Sequence, residues 1–333
     1  MVGVGGIGSG SFFLLNGDHT LGREESRGGR FQDRRDYCKL HIISHYVKAL
    51  LGPGFAVIPV GKVGDDDMGR RLLAEMKSAG LALEYVSGSP GDQTLFSFCF
   101  IYPDGSGGNM TTDDSACAHV DVAWVKRAGP ELAKYKGKGI ALAVPEVPLD
   151  ARVKLLEMAS AHGLFRAASF TTAEIGEVAR GGLMRSVDLL AVNLDEAAAA
   201  AGIHVEGALP QRVVDSSLKK LAAINPRMLV SITAGKRGSW SWDGRRARHL
   251  PVFEVPVIST AGAGDAHLSG ILAGLAAGLP LAAAQELGTL VAAHAVTSPH
   301  TIDDRIDRPA LLRLARESKA PIGAAVMRLL KEG

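Results

Sequence analysis

The sequence predicts an α/β fold: a mainly parallel sheet with helices on both faces and a small β lid outside it. Three observations carry this. Short β-rich runs alternate with helical patterns through the middle and C-terminal parts of the chain, as in a parallel sheet joined by helical crossovers. Glycine is abundant, at 40 residues, and aromatic residues are 5%, a balance that suits tight turns and close helix packing. Hydrophobic residues make up 47% and charged residues 22% of 333, so one large core can form without disulfide or metal support. The expected organisation is a single domain, 1–333, with lid segments at about 12–36 and 92–112.

Taken in order, Ser9 to Leu15 reads as extended, and residues 11–36 show little periodicity. Ala56 to Val60 reads as a strand ending in Gly61. Asp67 to Ala79 reads as a helix with Leu72, Leu73 and Met76 on one face, closed by Gly80. Thr94 to Tyr102, the turn from Pro103 to Gly108 and a return near Met110 read as a β-hairpin. Ile140 to Val144, Val187 to Val192 and Met228 to Thr233 read as strands. Asp150 to Ala161 and an Ala-rich run after Asn193 read as helices, and Phe253 to Ile258 as an extended lead into an apolar helix, Ala266 to Ala277.

The 37 basic and 35 acidic residues nearly cancel, which argues against a general nucleic-acid binder. The three cysteines, Cys38, Cys99 and Cys117, are far apart and form no CxxC pair, which points to a reducing, cytoplasmic setting. The first eight residues have no basic stretch, so a secretory signal is not expected. The most apolar run, Ile271 to Ala284, is broken by Gly274, Gly278 and Pro280 and is too short to span a bilayer.

The segment Ser259-Thr260-Ala261-Gly262-Ala263-Gly264-Asp265-Ala266 holds the clearest chemistry. Glycines let a backbone approach a ligand, and the amides and dipole at a helix start favour an anion such as a phosphate. A carboxylate beside such an anion repels it. Accepting a proton from an attacking hydroxyl would give Asp265 a reason to be there. An ordinary glycine turn with an acidic helix start is the alternative on local chemistry alone.

The Gly-Ala-Gly-Asp run resembles the C-terminal signature of the ribokinase-like (PfkB) carbohydrate kinases, and other segments agree in order and spacing. Val60 to Gly69 with Ala79-Gly80-Leu81 resembles a family segment after the second strand. Asn193-Leu194-Asp195-Glu196 resembles its Asn-x-x-Glu, and Thr233-Ala234-Gly235-Lys236-Arg237-Gly238 its Thr-x-Gly-x-x-Gly turn. The resemblance implies a ribokinase-like three-layer α/β/α architecture. It also implies MgATP as phosphate donor, a carbohydrate hydroxymethyl group as acceptor, and a homodimer through the lid.

Residue by residue, the resemblance makes Asp265 the base and the amides of Gly262, Ala263 and Gly264 the anion hole. Asn193 and Glu196 would organise Mg²⁺ through water, although the same pair also reads as a helix cap. Thr233, Gly235, Gly238 and Thr260 would line the nucleotide, and Glu146, in Pro145-Glu146-Val147-Pro148, would face the acceptor. A plain inter-strand turn and an exposed loop acid are the alternatives there.

The N-terminal third departs from the family. The early Asp after the first strand is missing, and in the Gly-Gly-x-x-x-Asn segment Gly28-Gly29 leads to Asp33 where Asn is usual. Gly29 and Asp33 are therefore the acceptor-site candidates on this side. Arg23, Arg27, Arg30, Arg34 and Arg35 either recognise an anionic acceptor or pair with nearby acids on a solvated lid. Ser259 stands where the family often has Asp, which bears on a possible K⁺ site. His267 reads as a packing residue.

Gly3-Val4-Gly5-Gly6-Ile7-Gly8 fits a dinucleotide fingerprint, but no helix pattern follows it, so nicotinamide or flavin chemistry is not expected. A nucleoside kinase of the same fold and a catalytically weak sugar-binding relative are the competing functions.

Overall fold

The computed structural model describes residues 1–104, 107–203, 209–318 and 321–332. The strands among these are β1 (Val2–Val4), β2 (Gly8–Leu15), β3 (Gly29–Tyr37), β4 (Ile58–Gly64), β5 (Tyr85–Ser89), β6 (Leu95–Ile101), β7 (Gly107–Thr111), β8 (Ile140–Ala143), β9 (Phe165–Ala168), β10 (Leu189–Asn193), β11 (Leu229–Thr233), β12 (Ser239–Trp242) and β13 (Ala247–Leu250). The helices are α1 (Lys39–Leu51), α2 (Asp67–Ser78), α3 (Val122–Lys126), α4 (Gly129–Lys134), α5 (Leu149–Ala161), α6 (Thr172–Arg180), α7 (Leu194–Ala201), α8 (Pro210–Ile224), α9 (Ala263–Ala276), α10 (Leu281–Ala295), α11 (Arg308–Glu317) and α12 (Ala324–Lys331).

The large sheet has the order β13-β12-β11-β10-β9-β8-β1-β4-β5. Its pairs are parallel from β5 to β11, and β12 and β13 add an antiparallel edge. Period-two alternation divides the side chains between two cores. Along β8, Ala141 and Ala143 join the core under α5 to α8, while Ile140 and Leu142 join the core under α1, α2 and α9 to α12. Three layers result, as the alternating sequence pattern predicts.

The expected strand at Ala56–Val60 is displaced. β4 starts at Ile58 and runs on to Gly64, because β5 pairs with Gly61, Lys62 and Val63 and keeps them extended. The apolar helix starts earlier than expected, at Ala263, since Gly262 takes a left-handed φ of 73° as its N-cap. Phe253 to Ile258 joins no ladder.

The smaller sheet has the order β3-β2-β6-β7, with β2 and β6 parallel and the outer strands antiparallel. The expected hairpin is the β6–β7 pair, and Gly105 and Ser106 in its turn lie outside the described residues. Its root is pinned by one acid. Asp66 caps α2 by accepting from Gly69 N and also accepts from Thr94 N and Oγ1, just before β6. The fingerprint-like glycines wrap β1 and lead into β2 rather than a helix, so that fingerprint lacks its required context. Among the described residues no helix is long and apolar enough to cross a membrane.

α9 and α10 pack at close range. A Cβ added at Gly270 would lie 2.6 Å from Gly288 Cα, and one at Gly288 would lie 2.6 Å from His267 O. Alanine at 270 gains helix propensity of about 1 kcal/mol but meets backbone that a rotamer change cannot move. Overpacking of this kind costs roughly 1–3 kcal/mol. Gly270→Ala is therefore expected to lower the midpoint of thermal unfolding by several degrees. An unchanged or higher midpoint would show that the two helices separate freely.

Candidate active site

Parallel strands deliver their carboxyl ends to one edge, and ligand sites of open α/β sheets form there. β8 runs into Glu146, β10 ends at Asn193 and β11 at Thr233. The N-termini of α1 and α9 meet at the same edge, where Lys39 Nζ lies 3.3 Å from Asp265 Oδ1.

The glycine loop is built against the chain near residue 301. A Cβ on Gly262 would lie 2.9 Å from Thr301 Cβ, so both the positive φ and the space demand glycine. The first amides of a helix have no intrahelical acceptor. In this loop Ala263 N reaches Thr260 O at 3.3 Å as a turn bond, and Gly264 opens onto two adjoining cavities. Asp265 follows in the first turn, with its side chain 16% exposed.

Lys39 is the central residue that the sequence reading missed. It is the first residue of α1, where the helix dipole disfavours a cation. Its backbone amide donates to Glu146 Oε2 at 3.3 Å while its ammonium faces Asp265. Its pKa is pushed up chiefly by the Asp265 carboxylate, against burial, with Glu146 and Glu196 adding. The available signal was a lone lysine opening an apolar helical pattern, Leu40 to Leu51.

Glu146 is the one non-glycine residue with positive φ among the described residues, at 74°, a conformation that costs of order 1–3 kcal/mol. The turn has room because Gly6 faces it. A Cβ on Gly6 would lie 2.4 Å from Glu146 Cβ. Burial pushes the Glu146 carboxyl up to about 7. Lys39 opposes that shift and Asp265 adds to it.

Asn193 and Glu196 form a reciprocal capping box at the start of α7, with both bonds at 2.8 Å. They also line a cavity of about 70 Å³ with Lys39, Asp265, Thr233 and Gly264. The capping reading is thus observed, and the same two residues border the cavity. Burial is the largest influence on Glu196 and pushes it up, while the Asn193 amide and Lys39 pull it down. A second cavity, of about 460 Å³, adjoins Thr233, Gly235, Gly238, Thr260 and Gly264 and has apolar walls from Val252 to Val257 and from Ala292 to Val296. Gly238, at φ 85°, could not carry a side chain, since its Cβ would lie 2.2 Å from Leu250 O. His267 lines this cavity, is 4% exposed, and is pushed down to about 4 by burial, so it stays neutral.

Asp33 and Gly29 are not brought to this edge. Asp33 is exposed, in a bulge of β3 where the register against β2 shifts between Ser11 and Phe12. Gly29 pairs with Leu15 at the far end of the strand, and a Cβ there would lie 2.4 Å from Leu14 O. Gly29 is thus a packing glycine. The acid that β3 turns inward is Asp36. It is 9% exposed and pairs in register with Gly10, where a Cβ would lie 2.9 Å from Asp36 Oδ2. Burial pushes Asp36 up, Cys99, Ser97 and the Tyr37 amide pull it down, and the Asp265 charge raises it. The arginine cluster disperses: Arg27 pairs with Glu25 at 2.6 Å and Arg35 with Glu75 at 3.5 Å, while Arg34 lines a cavity under the smaller sheet with Gln32 and Asn109.

The chain matches the pfkB family carbohydrate kinases over residues 46–308 and belongs to that family. It is 48% identical over 61 residues to the uncharacterized sugar kinase YegV of Escherichia coli, a stretch covering 18% of this chain and 19% of that one. Matches to the first curated relatives span only about a fifth to a quarter of their length. Among solved structures, ribokinase from Cryptococcus neoformans in complex with ADP aligns with a TM-score of 0.73 at 20% identity, over 99% of this chain and 98% of that one. A nucleoside kinase from Burkholderia thailandensis in complex with inosine aligns with a TM-score of 0.73 at 18% identity, over 96% and 98%. At these identities the likeness fixes the fold, which is ribokinase-like.

The Glu146 environment predicts a pH dependence of stability. The native carboxyl holds its proton to about 7, against an ordinary 4.5. Between those values the native state binds more protons than the unfolded chain, so stability falls as pH rises and levels off above 7. Glu146→Gln is expected to flatten that slope in denaturant unfolding at pH 5, 6, 7 and 8. Parallel slopes in the two proteins would refute the assignment.

Proposed function

We propose that the chain is an ATP-dependent phosphotransferase that moves the γ-phosphoryl group of ATP to a hydroxymethyl group of a small sugar or sugar-like acceptor. The observation that carries this is the position of Asp265. It directly follows the Gly262–Gly264 loop and borders the cavity that adjoins the nucleotide-side residues, and its charge acts on both Glu146 and Asp36. ATP fits the larger cavity, with its base between the apolar walls and its phosphates toward the start of α9.

In this reading Asp265 accepts the proton of the acceptor hydroxyl and fixes its direction of attack, and the amides of the glycine loop offset charge on the transferring group. Ala263 must release its turn bond to Thr260 to take part. Glu146, which keeps its proton near neutrality, can donate to one acceptor hydroxyl while Asp36 accepts from another. The single-carboxylate set of Asn193 and Glu196 fits Mg²⁺, which keeps most of its waters and binds largely through phosphates. When bound, the ion neutralises triphosphate charge. Among the described residues no group of three or more His, Cys, Asp or Glu is placed to hold a metal. A K⁺ site rests on the resemblance alone, because Ser259 offers a hydroxyl, approached by Ala261 N at 3.4 Å, where an acid was expected.

The near-balanced charge accords with small-molecule partners rather than nucleic acid, and three unpaired cysteines with the cytoplasm. The outer face of the smaller sheet supports a homodimer through the lid. Phe13, Phe31 and Phe98 cluster there with centroids 5.0–6.3 Å apart, and Phe31 is 66% exposed.

Release of ADP from MgATP across sugars, sugar phosphates and nucleosides is expected to single out a sugar-like acceptor. Asp265→Asn should reduce that turnover by about 10²–10⁴-fold with the fold intact. Turnover only with nucleosides would assign a nucleoside kinase, and silence across the panel a binding protein. In light scattering the chain should have the mass of a dimer, and Phe31→Asp should shift it toward monomer. A wild-type monomer would remove the interface.

A further inference from the structure

Lys39 lines one cavity with Asp265 and Glu196, and Glu146 accepts from its backbone amide. Asp265 comes from α9, Glu146 from the turn after β8, and Glu196 from the first turn of α7. Under the proposed function these belong to the base, the acceptor side and the triphosphate side. The helix does not account for a lysine here, since the α1 dipole opposes it. Among the described residues the ammonium makes one hydrogen bond, to Asp265, and at 3.3 Å it is long for a charge-assisted contact. The side chain is 35% exposed, so the head is held but not locked, and it retains donors.

That single contact creates a conflict. A carboxylate engaged by an ammonium has less freedom to take a proton from a hydroxyl. The incoming triphosphate, in turn, meets the carboxylates of Asp265 and Glu196. One movement resolves both. We propose that Lys39 is a catalytic cation that rests on Asp265 in the empty site and turns onto the transferring phosphoryl group when donor and acceptor are bound. The phosphate-cradling loop ends one residue before Asp265, so the displacement is well inside the reach of a lysine side chain.

The transfer balances without a proton from Lys39. The acceptor hydroxyl gives its proton to the Asp265 carboxylate, and its oxygen lone pair forms the new O–P bond. The bond from the γ-phosphorus to the bridging oxygen breaks, and its electron pair leaves with ADP. Lys39 offsets charge on the phosphoryl oxygens during the exchange. Asp36 and the Cys38 thiol also border this region, and both are pushed up, chiefly by burial, so neither is a better partner for the ammonium than Asp265.

The inference rests on the kinase reading, and the experiment separates the two. Full-length wild type, Lys39→Ala, Lys39→Met and Lys39→Arg are assayed for ADP release with the acceptor the wild type uses. ADP binding and thermal midpoint are measured alongside. Lys39→Ala and Lys39→Met are expected to lose about 10²–10³-fold in kcat, with ADP affinity within about threefold of wild type. Lys39→Arg should retain an intermediate rate. Methylammonium chloride should restore Lys39→Ala at least tenfold relative to KCl of equal ionic strength and leave wild type unaffected.

Wild-type kcat in Lys39→Met would overturn the proposal, as would a loss that neither arginine nor methylammonium repairs, because either leaves Lys39 only a structural role. Wild-type silence toward every acceptor would instead overturn the kinase reading beneath it.

Discussion

Four acidic side chains, Asp36, Glu146, Glu196 and Asp265, converge on one edge of the sheet, and the rest of the site depends on how their mutual repulsion is managed. Burial and like charge raise the first three. Lys39 is the cation placed among them, and its charge opposes the rise at both Glu146 and Glu196. Removing water from such a cluster would otherwise drive protons onto it. Glu146 is near its titration point at neutral pH while Lys39 is held charged.

Small residues and shared hydrogen bonds hold that arrangement at atomic range. Gly6 leaves the space into which Glu146 turns, and Gly262 leaves the space beside Thr301. Thr301 then ties the glycine loop to the smaller sheet. Its amide donates to Arg35 O, its hydroxyl accepts from Tyr37 N, and its carbonyl accepts from Tyr46 Oη. The end of β3, α1 and the N-cap of α9 therefore bear on one residue. A displacement of the smaller sheet would reach the glycine loop through Thr301, and the strand end it holds directly follows Asp36.

The layered α/β architecture and the segments that meet at the strand ends were legible in the sequence because those features are local. An alternation of elements, a glycine loop before an apolar helix and a strand-end Asn-x-x-Glu can each be read within a few residues. Asp36 and Lys39 escaped because their meaning comes from pairing across distance: β3 laid against Gly10 of β2, and α1 abutting a helix more than two hundred residues away. The choice of Asp33 shows the same limit. Counting from the Gly28-Gly29 pair gave a position along the chain, but a bulge in β3 decides which side chain turns inward, and it leaves Asp33 exposed. The parallel pairing of β2 with β6 was equally invisible, because a hairpin reading sees only neighbours.

The match to the family begins at residue 46 and so includes Glu146, Asn193, Glu196 and Asp265 but neither Asp36 nor Lys39. In the proposed function the donor-side residues meet a nucleotide triphosphate whose shape is constant, so one loop, one capping box and one apolar slot would serve. In the proposed reading the acceptor-side residues must match whatever molecule brings the hydroxyl; Glu146 lies inside the matched stretch, while Asp36 and the start of α1 lie before it, in the part that departs from the family pattern. A buried, protonatable acid at 146 and a second acid at 36, with Lys39 facing Asp265, suit hydroxyl groups that both donate and accept.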